Sequence, residues 1–265
     1  MLGSNVIFTN FEEMGNFNID AGVCEFCGTP KKWKHHAFKI GSVHKVVSCS
    51  ISQCKCLQEQ EAEEKKKQLE KEAKLQERAE EMELQRRFDN SMLTPFFKQK
   101  QFENVEMTEQ IKQVKKFADN FKPHIKGLQL VGSVGTGKTT ALACVCNELI
   151  KKGYKCLFVT LSSLIDKFAK CSYEEHGDIS SQLNWLLKYD FIVLDDIGRE
   201  TYTDKRKELV FRIVDALMNY EMTVCYTANP QMLEKLLKIP EMVAALDRLK
   251  FFCPEIVQFK GNSRR

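Results

Sequence analysis

With 265 residues, 43% of them hydrophobic, the chain can build one large domain and a smaller one, each with a core. No apolar run approaches the roughly 20 residues of a membrane-spanning helix. The start, MLGSNVIFTNFEE, lacks the basic and apolar regions of a secretory signal, so a cytoplasmic setting is expected. A net charge of +4 permits contact with nucleic acid without requiring it.

The first expected unit covers residues 1–56 and holds five of the eleven cysteines. Cys24 and Cys27, in "CEFC", have the form of a metal knuckle, and Cys49, Cys54 and Cys56 supply three thiols further on. Four of these five suit a tetrahedral zinc ion that staples a small domain. Spacing does not say which of Cys49, Cys54 and Cys56 stands aside, and a redox dithiol or a set of unliganded buried thiols are the other readings. His35, His36 and His44 are available but unnecessary. Six lysines and no carboxylate lie between Cys27 and Gln58, so this unit can meet either a protein or DNA. Cys144, Cys146, Cys156, Cys171, Cys225 and Cys253 sit in apolar segments and read as small buried hydrophobes.

Residues 57–94 form a charged helical linker in this reading. They include a long run of helix formers without Gly or Pro, and Glu61/Lys65, Glu63/Lys67, Glu70/Lys74 and Glu83/Arg87 lie four apart, acid first. Apolar positions are too sparse for a heptad seam, which favours a solvated spacer over a partner-binding helix.

Residues 95–265 alternate apolar strands with helices. Strands are expected at 127–132, 154–161, 189–196, 222–229 and 255–259. Helices are expected near 138–152, 162–171, 179–188, 205–220 and 241–250. That alternation predicts an α/β domain with a parallel sheet covered on both faces, and ligands at the carboxyl ends of its strands.

Two motifs fall at such ends. Gly132, Ser133, Val134, Gly135, Thr136, Gly137, Lys138 and Thr139 match G-x-x-x-x-G-K-[ST] in full, with Thr140 next. The glycines let backbone N–H groups turn toward phosphate, and the helix that follows adds its positive end. Lys138 would reach the β- and γ-phosphates of ATP, and the Thr139 hydroxyl would meet Mg²⁺. In "FIVLDD", a buried strand ends in two acids. Asp195 is placed for the Mg²⁺ shell and Asp196 for the attacking water. Asn229 ends another strand and reads either as a helix cap or as a γ-phosphate sensor. Arg248, on a late helix, reads either as a surface residue or as an arginine that completes a neighbouring subunit's site.

In this order the motifs resemble the AAA+ ATPases, and more closely the DnaC/DnaI-type replicative helicase loaders with their IstB-type transposition relatives. The likeness runs through "FENVE" (102–106), "GSVGTGKTT", "LDDIGRE" (194–200), "TAN", "LDRL" and "FKGNSRR" (259–265). It implies an AAA+ phosphate-loop domain and an ATPase that self-associates through it, preceded by a zinc-binding domain that docks on a hexameric replicative helicase. It makes Asn229 the first sensor, Arg248 the arginine finger and Arg265 a second sensor, and it points to residues 162–188, with Lys167 and Lys170, as a contact for single-stranded DNA. Two positions depart from the pattern. Asp196 stands where many AAA+ proteins carry Glu, which suits a slow switch, and Arg264 replaces a usual aromatic, which leaves the second-sensor place open between Arg264 and Arg265. The implied function is ATP-dependent loading of a helicase in bacterial or phage DNA replication. A transposition helper on duplex DNA and a nucleotide-binding adaptor without turnover are the alternatives.

Overall fold

The computed structural model describes residues 6–8, 21–40, 43–52, 54–173, 179–200 and 202–261. The chain divides into two compact units, Met1–Arg78 and Ala79–Arg265.

In the first unit, β1 (Val6–Phe8), β2 (Lys31–Ile40) and β3 (Val43–Ser52) form an antiparallel sheet in the order β1-β3-β2. β2 and β3 make a hairpin of ten paired positions that runs from Lys31 opposite Ser52 to Ile40 opposite Val43. Before it lies a tight knuckle. The Gly28 N–H donates to the Cys24 carbonyl (2.9 Å) and the Cys24 N–H to the Thr29 carbonyl (2.8 Å). Gly28 turns the chain at φ 70°, a conformation that glycine adopts without steric cost.

Helix α1 (Cys56–Asn90) starts at the last cysteine of the cluster and runs for 35 residues, about 52 Å at 1.5 Å per residue. Residues 59–82 are exposed on every side, Leu69, Leu75 and Met82 included. Of the expected ion pairs, Glu63–Lys67 (2.8 Å) and Glu83–Arg87 (3.4 Å) are closed. Such surface pairs contribute only about 0.3–0.5 kcal/mol each, so helix propensity supplies most of the order here. The last turns differ in kind. Leu84 and Phe88 pack on the core of the second unit, and Ser91 and Leu93 beyond them are buried.

The second unit is built on five parallel strands: β4 (Leu128–Gly132), β5 (Cys156–Thr160), β6 (Phe191–Ile197), β7 (Thr223–Ala228) and β8 (Glu255–Phe259). Their order is β5-β6-β7-β4-β8. The helices are α2 (Pro95–Lys98), α3 (Glu109–Asp119), α4 (Lys138–Lys151), α5 (Leu161–Tyr173), α6 (Ile179–Leu186), α7 (Asp204–Asn219), α8 (Pro230–Leu236) and α9 (Pro240–Phe252). Strand residues alternate between two cores, as the period of two demands. Phe191 and Val193 join Leu142, Leu149 and Val114 on one face, while Ile192 and Leu194 join Phe168, Ile213 and Leu246 on the other.

All five expected strands and all five expected helices are present, and the parallel sheet with two covered faces is confirmed. The sequence reading omitted β1, α2, α3, α8 and the N-terminal hairpin. Cys144, Cys146, Cys156, Cys225 and Cys253 are buried as expected, and the Cys171 side chain lies outside the described residues. Among the described residues, no helix is long and apolar enough to cross a membrane.

Candidate nucleotide site and metal centre

The carboxyl ends of β4 and β6 open on one cleft of about 570 Å³. Gly135, Thr136, Gly137, Lys138, Thr139 and Thr140 line one side, and Asp195 and Asp196 stand across from them. Gly135 (φ 82°) and Gly137 (φ 97°) hold left-handed conformations that a side chain would strain. Gly132 is required for another reason: a Cβ there would come within 2.2 Å of the Phe259 carbonyl oxygen on β8. Ser133 and Val134 complete the loop, with Val134 exposed at its tip.

Gly137 is the N-cap of α4 and carries no side-chain cap, so the first-turn N–H groups of a 14-residue helix are left for an anion. Lys138 is buried beside them, its Nζ donating to the carbonyls of Gly132 (2.8 Å) and Ser133 (2.7 Å). A third bond tightens the loop, from the Thr136 hydroxyl to the Ser133 carbonyl (2.8 Å). Donors, charge and glycine conformations all fit a nucleotide phosphate chain.

The acidic side is organised by Thr227, a residue to which the sequence reading gave no role. Its hydroxyl donates to Asp195 Oδ1 (2.6 Å) and accepts from the Asp196 N–H (2.8 Å). Thr139 donates to the same Asp195 oxygen (3.1 Å). Pairing between β6 and β7 shifts register between Leu194 and Ile197, and Asp196 sits at φ 60°. This bulge turns two successive carboxylates toward one cleft, where a regular strand would point them to opposite faces. Burial raises the Asp195 pKa, while the bonds from Thr227 and Thr139 pull it down. Arg199 pairs with Asp196 Oδ2. A hydroxyl and a buried carboxylate in contact are a hard oxygen donor set, which suits Mg²⁺.

Two described residues with predicted roles, Asn229 and Arg248, are not among those that line the cleft. Asn229 caps α8, its Oδ1 accepting from the Gln231 N–H (3.0 Å). It follows Ala228, whose strand partners are Val131 and Ile197, so it sits between the ends of the loop strand and the acidic strand. Capping uses the amide oxygen and does not use the amide nitrogen. Arg248 is not among the residues that line the cleft; it pairs with Asp215 on α7 (3.1 Å) and lies over the Phe211 ring. Arg264 and Arg265 lie outside the described residues. The cleft also extends to Asn104, Val105, Thr108 and Ile111, which sequence reasoning left without a role.

In the first unit, the sulfurs of Cys24, Cys27, Cys54 and Cys56 lie within 4.8 Å of one another. Tetrahedral zinc with bonds of about 2.3 Å needs sulfurs about 3.8 Å apart, so the four fit one ion. Backbone N–H groups of Phe26 and Cys27 lower the Cys24 pKa, and the Thr29 hydroxyl lowers that of Cys27. Hydrogen bonding with Cys27 and Cys54 pushes Cys56 up to about 12. Four thiols this close resist ionising together, and a dication at their centre removes that penalty. Cys49 pairs with Lys34 in the hairpin register; its side chain lies outside the described residues.

The profile of the family described as IstB-like ATP binding protein matches residues 49–265. The replicative helicase loader DnaC of Escherichia coli (strain K12) is 29% identical over 190 residues, which are 69% of this chain and 76% of that protein. The replicative helicase loader DnaI of Bacillus subtilis (strain 168) is 29% identical over 105 residues, 39% of this chain and 33% of that one. Among solved structures, that of the DnaC helicase loader superposes with a TM-score of 0.54 at 22% identity, covering 63% of this chain and 100% of its own. AMPPCP-bound DnaA from Aquifex aeolicus gives 0.52 at 20% identity over 64% of this chain and 52% of that one, a likeness of fold alone. The sheet is thus an AAA+ sheet with an intact phosphate loop at the carboxyl end of β4, and the chain belongs to the IstB-like ATP-binding protein family.

Proposed function

We propose that the chain is an ATP-controlled loader that places a hexameric replicative DNA helicase on single-stranded DNA, with slow hydrolysis as its switch. The reading is carried by one conjunction: similarity to a named helicase loader over 190 residues, together with a complete cleft of phosphate loop and paired acids.

In this proposal Lys138 and the first turn of α4 bind the β- and γ-phosphates, while Thr139 and Asp195 hold Mg²⁺, which neutralises phosphate charge. Asp196 orients the attacking water, and its ion pair with Arg199 restrains it until nucleotide is seated. Asn229 donates to the γ-phosphate, and Arg248, which does not line its own cleft, serves a neighbouring subunit's site. Arg265 acts as the second sensor. Residues 1–56, stapled by zinc, engage the helicase, 57–94 link them to the ATPase domain at 95–265, and Lys167 and Lys170 contact DNA. Lys167 already lies over the Trp185 ring (4.2 Å). The protein works in the cytoplasm.

The test is capture of the cognate hexameric helicase by the intact chain and by a chain that starts at Ala79, with and without ATP. Capture by the intact chain alone is expected. No capture by the intact chain would sink the proposal, and ATP-dependent filaments on duplex DNA in its place would favour the transposition-helper reading.

A further inference from the structure

We propose that the second unit carries a further ligand site, a pocket for a free nucleoside monophosphate at the end of the sheet away from the phosphate loop. It requires neither helicase nor ATP, so it stands apart from the loading role. The pocket, of about 280 Å³, lies between the last turns of α1, the start of β5 and the link from α6 to β6. Arg86, Arg87, Lys155 and Lys188 face it, with Trp185 and Tyr189 as its aromatic wall. Cys156, also in the lining, pairs with Phe191, four residues before Asp195 on β6. The two cavities are therefore about 13 Å apart along the strands. The Tyr189 hydroxyl donates to the Asn90 carbonyl (3.1 Å) and the Phe158 N–H to the Ser91 carbonyl (2.8 Å). These bonds tie the end of α1 to the sheet, so the pocket is formed before a ligand arrives.

The first observation is charge. Four cations line the pocket against one carboxylate, Glu83. Glu83 accepts from Arg86 (3.0 Å) and lies 3.4 Å from the Arg87 Nε. Among the described residues, neither the Lys155 nor the Lys188 ammonium pairs with an acid. Asp190 accepts the Lys155 backbone N–H (2.8 Å) but is not in the lining. Arg87 is the telling group. Its side chain is only 27% exposed, yet among the described residues its buried Nε has no hydrogen-bond acceptor. A buried donor without an acceptor is costly, and a phosphate is an acceptor whose geometry a guanidinium matches.

The second observation is shape. The Trp185 and Tyr189 rings meet edge to face, 5.4 Å apart, and Trp185 is half-buried. An inorganic anion would satisfy the cations and leave this aromatic wall unused. A nucleoside monophosphate offers a phosphate to the cations and a flat base to the rings. Its size agrees with the cavity, which lies at the small end of ligand pockets, where about 300 Å³ is the usual lower bound. One nucleotide fits that space; a strand needs an open groove that continues past it.

The experiment uses the full chain carrying Trp33→Phe and Lys138→Ala. These changes leave Trp185 as the only tryptophan and disable the phosphate loop. AMP, adenosine and inorganic phosphate are each titrated against Trp185 emission. AMP is expected to give a saturable change, with a midpoint about tenfold or more below those of adenosine and phosphate, since it alone uses both halves of the pocket. Lys155→Gln/Lys188→Gln in the same background should raise the AMP midpoint about tenfold. Both side chains are exposed, so the melting temperature should not move. Arg87→Gln should weaken AMP at least as much, and if that variant fails to fold, the lysine pair decides. No saturable response to AMP, or an unchanged midpoint in the lysine variant, would overturn the proposal. So would inorganic phosphate binding as tightly as AMP. A response that oligo(dT) saturates and AMP does not would reassign the site to a strand and overturn it too.

Discussion

Thr227→Val is the sharpest single perturbation of the nucleotide site. Valine matches threonine in shape, so the change deletes the hydroxyl and leaves the fully buried packing at this position alone. Two hydrogen bonds vanish: the donation to Asp195 Oδ1 (2.6 Å) and the acceptance from the Asp196 N–H (2.8 Å). A bond to a buried carboxylate contributes about 1.5–3 kcal/mol, and an orphaned N–H costs about 1–3 kcal/mol. The expected loss is about 3–5 kcal/mol, or roughly 10 °C in melting temperature for a unit of this size.

The loss also carries a pH signature. Burial holds the Asp195 pKa above its unfolded value, so ionised Asp195 lowers stability as pH rises through that interval, and fully above it. The Thr227 bond reduces this penalty. The gap between wild type and Thr227→Val should therefore be widest at neutral pH and narrow on acidification through the Asp195 titration. Thermal denaturation of the wild type, Thr227→Val and Thr227→Ser across pH tests this, and serine should restore most of the loss. A valine variant within about 1 kcal/mol of wild type at pH 7, or a gap that widens with acid, would refute the reasoning.

Four further outcomes are expected. Lys138→Ala should cut ATP turnover measured with single-stranded DNA by at least about 100-fold, since it removes a buried cation from the phosphate site. A chain starting at Pro95 should melt well below one starting at Ala79, because it loses Leu84, Phe88 and Leu93, each contributing about 1.5–3 kcal/mol when fully buried. Cys24→Ser should abolish zinc measured by mass spectrometry of the metal, while Cys49→Ser should retain one equivalent. Mixing inactive Arg248→Ala with inactive Lys138→Ala should restore part of the turnover, because a site that keeps Lys138 can then receive Arg248 from a Lys138→Ala neighbour; no recovery at any ratio would argue against a shared site.

The sheet was legible because its strands are short apolar runs separated by helices of ordinary length, and the phosphate loop because its glycines and lysine sit at fixed spacing. What escaped was set by context. Thr227 shows nothing in sequence of its position opposite two acids, since only the β6 bulge brings them together. The Asn229 side chain serves as a helix cap, the less specific of its two readings, and its nitrogen keeps the other one open. The hairpin was hidden by a reading attentive to cysteines, although Gly41-Ser42 between "KKWKHHAFKI" and "VHKVVSCSIS" is a two-residue turn signal. In the cysteine cluster, spacing left three choices for two positions, and only the fold of the knuckle against the start of α1 gathers Cys54 and Cys56 beside Cys24 and Cys27.

The contact between Gly132 and Phe259 has a mechanical consequence. Nothing but backbone separates the first residue of the phosphate loop from the last residue of β8, and the two are paired in register. Such a joint has no slack, because no side chain can rotate to absorb a displacement. A nucleotide that pulls on the loop therefore pulls on the strand that leads into the C-terminal segment. News of what occupies the cleft can leave it as a rigid-body push along the edge of the sheet, with no hinge in between.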